Sequence, residues 1–291
     1  MRSSSLPFVL LALLGTFSLG ASCNTKPEPG PAATTPAQGK LEKLEQVDTS
    51  ALTDNERRVW SDLVNAQLSP CGEPVSVAQC VTDKRACNSC VPAARYLSRL
   101  VSEGMEKGEI ESLYAARFDA KKKVTIDVAD APVRGAPMAK ISIVEFSDFE
   151  CPYCGAAHPA LSSLLSQFDG QVNLIFKNFP LEGHKNSLPA ARAAVAAQLQ
   201  GKFWELADLL FEHQRELSVE RIRELAKEAG LDLTRFDTDV ASPAVQQRVD
   251  NDKKEGASLG IQGTPSLFVN SRPYKESIQS LSKYLKEELA R

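Results

Sequence analysis

The sequence carries no excess of positive charge: 34 Lys and Arg stand against 37 Asp and Glu, a formal net charge of −3 over 291 residues. Nucleic acid or an anionic membrane surface as main partner requires a positive field, so both are excluded. Nor is there an apolar run that reaches the ~20 residues of a bilayer span. The longest runs from Leu6 to Ala21 and contains Pro7 and Gly15. Histidine is scarce, and His158, His184 and His213 have no metal-ligand spacing among them, which leaves surface or capping roles. No internal repeat or heptad pattern is present. What is there is 43% apolar residues against 24% charged ones, enough to fold and bury a core.

The Leu6–Ala21 run follows Arg2 and a few serines, and leads into Gly20, Ala21, Ser22 and Cys23. A charged start, a short apolar stretch and small residues form an export signal, residues 1–22. The order resembles a bacterial lipoprotein signal, in which Cys23 becomes the lipidated first residue. Ordinary cleavage and an uncleaved anchor are the alternatives, and all three mean export. Residues 23–48 hold prolines and small polar side chains, so they read as a disordered tether. Any membrane contact is then through the lipid anchor alone.

Residues 49–120 read as helical. Thr53 and Glu56 form a capping box ahead of Val59, Trp60, Leu63 and Val64. A second helix starts near Pro92 and a third carries Ile110, Leu113 and Tyr114. From residue 121 the pattern changes. Val124, Ile126 and Val128 alternate as a strand would, a Pro/Gly-bearing link follows, and Ile141 to Phe146 form a β-branched, aromatic strand. Further elements are a helix from Pro152, a strand over Val172–Phe176, a helical stretch over Ala190–Val240, another helix from Pro243, a strand over Ser266–Val269 and a last helix from Glu276.

In an exported chain, thiols tend to pair. Setting Cys23 aside leaves Cys71, Cys80, Cys87 and Cys90 in one group, and Cys151 and Cys154 in another. Cys151-Pro152-Tyr153-Cys154 lies where the strand ends and a helix begins. The free N–H groups and dipole of a helix N-terminus favour an anion, so Cys151 is expected as a nucleophilic thiolate. Cys154, one turn on, is placed to pair with Cys151 and to resolve a mixed disulfide from within. Pro152 suits the first helical turn. A bare Cys-x-x-Cys also supplies half a zinc site or a structural disulfide. Downstream, Gly263-Thr264-Pro265 precedes an apolar strand, where a cis proline would form a tight, functional turn.

Over about residues 138–291 these features resemble the thioredoxin superfamily, and more closely its DsbA-like exported branch. The resemblance implies an α/β thioredoxin-like fold with a helical insertion at about 186–245, preceded here by a small all-α cysteine-containing domain. It implies that Thr264 and Pro265 lie against the dithiol and present backbone to the client, with Pro152 and Tyr153 on the same surface. It implies that Glu145 is a buried acid serving the resolving cysteine; an exposed charge or structural ion pair is the plain alternative. Lys177 is a candidate partner for Glu145 or a solvated strand-end lysine. Tyr153 stands where the best-known oxidants of the family have His, which removes one stabiliser of the thiolate. Ser271 stands where many relatives have Gly.

The spacing Cys71-x8-Cys80-x6-Cys87-x2-Cys90 allows three pairings. Two structural disulfides, a zinc site, or a second redox pair at Cys87 and Cys90 are the readings. The stretch to Phe118 is faintly similar to the helical thiol module of cytochrome c maturation proteins. That similarity implies only that Cys87 and Cys90 exchange electrons with Cys151 and Cys154. The whole reads as a periplasmic, lipid-anchored thiol–disulfide oxidoreductase that works through the Cys151–Cys154 disulfide and no separate cofactor. Exported proteins with free thiols or disulfides are its clients, and a membrane quinone-linked partner reoxidises it. Oxidase work is the first choice; a reductase or isomerase, or a non-catalytic binding lipoprotein, is the alternative.

Overall fold

Thr53 and Glu56 start the first helix as a reciprocal cap: the Thr53 hydroxyl accepts from the Glu56 N–H, and the Glu56 carboxylate accepts from the Thr53 N–H at 2.7 Å. The computed structural model describes residues 40–291, and the expected signal, Cys23 and residues 24–39 of the tether lie outside them. Helix α1 spans Asp54–Ala66 and buries Trp60, Leu63 and Val64. Next come α2 (Val77–Thr82), a short helix that the sequence pattern did not reveal, α3 (Cys90–Ser102) and α4 (Lys107–Phe118). These helices share a core in which Trp60, Tyr96, Leu97, Leu100 and Ile110 are almost wholly buried. Two disulfides, Cys71–Cys87 and Cys80–Cys90, close it. Cys87 and Cys90 are thus not partners of one another.

The remaining chain forms a five-stranded sheet in the order β1-β3-β2-β4-β5. Its strands are β1 (Val133–Gly135), β2 (Ile141–Ser147), β3 (Val172–Asn178), β4 (Ser266–Val269) and β5 (Arg272–Tyr274). Only β2 and β3 run parallel, from Ile141↔Val172 to Ser147↔Asn178. That pairing needs a crossover, supplied by α5 (Pro152–Gln167), which contains Pro159. Helix α5 and the last helix, α11 (Leu281–Leu289), cover one sheet face, packing on Ile141, Ile143 and Leu174. Between β3 and β4 stand α6 (Ser187–Gln198), α7 (Phe203–Glu212), α8 (Val219–Glu228), α9 (Leu233–Ala241) and α10 (Pro243–Ser258). Among the described residues, no helix is long and apolar enough to cross a membrane.

Three departures from the sequence reading have physical causes. Val124–Val128 is extended but not a strand: its side chains pack on Phe146, Ile175 and Phe268, while its donors bond singly, Val124 N–H to Ser271 O and Asp127 N–H to Glu255 Oε1. Alternation records one apolar face, not a ladder. The link instead contributes β1, an edge strand antiparallel to β3. Strand β5 is equally hidden, because Pro273 withholds a donor and confines it to the edge. Asn270 and Ser271 turn the β4–β5 hairpin with φ of 47° and 66°, so Ser271 holds a left-handed backbone that a glycine would adopt more readily.

Residues 40–291 form one unit. Arg99 on α3 bonds Glu276 at 2.9 Å and Glu287 at 2.8 Å, and the Tyr96 hydroxyl donates to Glu276 at 2.9 Å. Arg117 on α4 reaches Glu287 and Glu288 while its guanidinium lies 3.8 Å from the Tyr284 ring centroid. Both arginines are buried, and both form ion pairs with carboxylates from the C-terminal end.

Candidate active site

Strand β2 ends at Ser147, and the chain turns through Asp148–Glu150 so that Cys151 caps α5 and Pro152 occupies its first turn. Asp148 builds this turn: its buried carboxylate accepts N–H bonds from Glu150 at 2.8 Å and Leu181 at 3.0 Å, and lies 2.7 Å from His184 Nδ1. Gln214, in the helical insertion, donates from Nε2 to the carbonyls of Phe149 and Cys151, both at 2.8 Å. The loop is thus held from two sides.

Cys151 and Cys154 are both thiols here, 3% and 0% exposed. The Thr264–Pro265 peptide is cis, and the Cys151 S–H donates to the Thr264 carbonyl at 3.3 Å. The structure therefore brings Cys151 and Cys154 together with Thr264 and Pro265, a pair over a hundred residues further along the chain. Pro152 and Tyr153 are exposed, Tyr153 to 76%, and form the outer lip. A cleft of about 650 Å³ opens beside Pro152 and Gly155, walled by Phe211 and His213–Glu216.

Glu145 is fully buried on β2, near enough for its charge to act on Cys154. Ser147, two residues on and on the same strand face, donates to its Oε1 at 2.8 Å, whereas Oε2 has no partner. Burial pushes the Glu145 carboxyl up to about 7, against the opposing pull of Ser147 and of His158. Burial also pushes the Cys154 thiol far above its ordinary value; the Ser147 hydroxyl and the Asp148 backbone oppose this, and the Glu145 charge adds to it. Glu145 and Cys154 are both buried acids whose anions burial disfavours, and the Ser147 hydroxyl acts on both of them.

A sequence model of the thioredoxin family matches residues 127–287, more than half of the chain. The chain belongs to the thioredoxin family. A thioredoxin-like oxidoreductase from Silicibacter pomeroyi DSS-3 is 29% identical with a TM-score of 0.50, covering 56% of this chain and 94% of that one. Oxidised BdbD from Bacillus subtilis shares the fold at 24% identity and a TM-score of 0.53, over 58% of this chain and 98% of its own. So does the thiol-disulfide exchange protein alpha-DsbA2 from Wolbachia pipientis, at 24% and 0.50, over 62% and 94%. The fold is that of a DsbA-like thioredoxin, with the insertion and the preceding helical cysteine region that the sequence implied.

Among curated proteins, the Na(+)/H(+) antiporter NhaA 1 of Mycolicibacterium gilvum (strain PYR-GCK) is 38% identical over 153 residues, 52% of this chain and 25% of that protein. The antiporter of the same name from Salinispora arenicola (strain CNS-205) is 40% identical over 163 residues, 55% and 25%. The chain thus spans about a quarter of the length of these relatives.

Sequence reading missed two residues of the site. Gln214 is one, because nothing local marks a side chain that reaches back across the insertion. Ser147 shares strand parity with Glu145, a signal that was legible. His158 is not at the surface: it is buried, stacked 4.4 Å from the Phe211 ring centroid, with Nε2 2.8 Å from Asp208. Lys177 is neither solvated nor paired with Glu145; it is buried and bonds Asp252 at 2.6 Å and Glu255 at 3.0 Å.

Proposed function

We propose that the protein is an exported thiol–disulfide oxidoreductase that transfers a disulfide from Cys151–Cys154 to protein clients. The observation that carries this reading is a helix-terminal cysteine bonded to the carbonyl of Thr264, with a second cysteine and an acid buried at the same site. In the dithiol form Cys151 donates to Thr264 O. In the disulfide form that S–H is gone, so the carbonyl is free to accept an N–H from an extended client, which would lie along Thr264 between Tyr153 and the cleft beside Pro152. Oxidised enzyme and client thiolate therefore suit one another.

The client thiolate attacks Cys151, the Cys151–Cys154 bond breaks, and Cys154 leaves as a thiolate. A thiolate is disfavoured at that buried position, and Glu145, protonated for half the molecules near pH 7, supplies the proton. A second client thiolate then attacks the client sulfur, closing the client disulfide and releasing Cys151. The anion at Cys151 sits at the positive end of α5, which favours its departure. Export, lipid attachment at Cys23 and reoxidation by a membrane quinone-linked partner complete the proposal; the signal-like residues 1–22 support the first two.

Alkylation trapping in cells tests direction: an oxidase keeps Cys151–Cys154 mainly oxidised, and a mainly reduced pair would reverse the choice in favour of a reductase or isomerase. Cys154→Ser is expected to accumulate clients covalently held at Cys151 when offered disulfide-bearing clients: the Cys151 thiolate attacks the client disulfide, one client thiol leaves, and Cys154 is absent to displace the client that remains. A variant that traps none, while folded, refutes the exchange reading.

A further inference from the structure

The four N-terminal cysteines are a second group of reactive sulfurs, and their arrangement differs from two separate staples. All four sulfur atoms lie within 4.8 Å of one another. Cys71 Sγ, bonded to Cys87, is also 3.4 Å from Cys90 Sγ and 3.8 Å from Cys80 Sγ. Such van der Waals contact is the separation from which a thiolate attacks a disulfide. Accessibility is graded across the cluster. Cys71 and Cys87 are half-buried and flanked by exposed Gly72, Glu73, Ala86 and Asn88, whereas Cys80 and Cys90 are 1% and 2% exposed.

The cluster does not face the Cys151 site. Ser89, beside Cys90, accepts from Arg291, and Glu103 at the other end of α3 bonds Lys283, so α3 runs antiparallel to α11. The C-terminal end of α11 receives Lys140, which precedes β2. Cys90 therefore lies at the end of the sheet where β2 begins, and Cys151 lies beyond the end where it finishes. The seven residues of β2 separate these ends by roughly 20 Å. Direct exchange between the two cysteine groups of one chain is excluded by that separation, so electrons reach the cluster from outside.

We propose that Cys71, Cys80, Cys87 and Cys90 form one exchange-coupled redox centre that accepts an electron pair from an external dithiol, either a small molecule or a protein. One donor thiolate attacks Cys87, forming a mixed disulfide and releasing Cys71 as a thiolate. Cys71 attacks Cys80, so that the Cys71–Cys80 bond forms, the Cys80–Cys90 bond breaks and Cys90 leaves. Cys90 is the first residue of the 13-residue helix α3, whose N-terminal dipole favours the departing anion. The donor's second thiolate then resolves the mixed disulfide at Cys87. The donor is oxidised by two electrons, Cys87 and Cys90 take up its two protons as thiols, and one bridge, Cys71–Cys80, still links the loop to α2.

The test uses the full chain carrying Cys151→Ser and Cys154→Ser, which removes the active-site thiols and makes the outcome independent of the proposed oxidoreductase activity. Adding Cys87→Ser leaves Cys71 as a thiol against Cys80–Cys90. Acid quenching, alkylation and peptide mass spectrometry are expected to find Cys71–Cys80 or Cys71–Cys90 bridges and alkylated Cys90 or Cys80. A sole Cys80–Cys90 bridge with only Cys71 alkylated overturns the proposal. Should that variant fail to fold, graded dithiothreitol treatment of the chain with all four cysteines gives the same decision. Cross-pairs at the two-electron stage support it. Loss of Cys71–Cys87 followed by Cys80–Cys90 without cross-pairs, or a purified cluster that holds one zinc ion and no bridge, overturns it.

Discussion

Replacing Glu145 by Gln removes a buried carboxyl whose ionisation is disfavoured, and the consequence for stability depends on pH with a fixed sign. In the folded protein this carboxyl titrates at about 7, against an ordinary value of 4.5. Below pH 4.5 it is protonated in folded and unfolded chains alike, so it adds no pH-dependent cost. Between 4.5 and 7 the unfolded chain ionises while the folded one stays protonated, and folding loses about 1.4 kcal/mol per pH unit. Above 7 both ionise and the loss levels off at roughly 3 kcal/mol. Glu145→Gln should therefore gain stability relative to wild type as pH rises from 4 to 8, by an amount of that order, because the amide keeps the shape and the Ser147 bond without the charge. Chemical denaturation of the reduced proteins at several pH values measures it. Parallel stability curves for the two proteins would refute the reasoning, since they would mean the carboxyl has no buried, perturbed ionisation. The same variant should lose the limb near pH 7 in the rate of client oxidation.

Arg117→Ala removes one of two cations from each of Glu287 and Glu288, which keep Arg99 and Arg291, and opens a gap beside Tyr284; a loss of up to about 3 kcal/mol is expected in denaturation, no more than the lower end for broken buried ion pairs because each glutamate keeps a second partner. A loss within measurement error would show that the helical segment is not held to the C-terminal end by these contacts. At Gly256 on α10 an added Cβ would lie 2.7 Å from the Phe179 ring and 3.0 Å from Phe146, so Gly256→Ala should cost about 1–3 kcal/mol through overpacking. A neutral result would mean that the aromatic layer beneath α10 yields freely.

Local chemistry was legible wherever the chain writes it in adjacent residues. The Thr53–Glu56 cap, the helix after Cys151 and the strand before it follow from patterns within a few positions, and the Cys-Pro-Tyr-Cys and Thr-Pro segments announced a dithiol site before any fold was visible. The strand expected at Val124–Val128 failed because alternation reports which face is apolar and says nothing of where the N–H groups go. Edge strands β1 and β5 were hidden because three residues, one of them a proline in β5, carry almost no periodic signal.

By itself the sequence determined the Cys-Pro-Tyr-Cys pair at a strand-to-helix junction, the elements that hold it and the superfamily these imply, since each depends on short-range backbone geometry and side-chain type. Only the tertiary structure decided how far Glu145 is shielded from water, that Gln214 ties the loop from a distant turn, that Lys177 belongs to Asp252 and Glu255, and which of the four N-terminal sulfurs are bonded. Burial and long-range contacts depend on where the whole chain places its surfaces, and electrostatic cost in a protein is set by that surrounding medium rather than by neighbours in sequence.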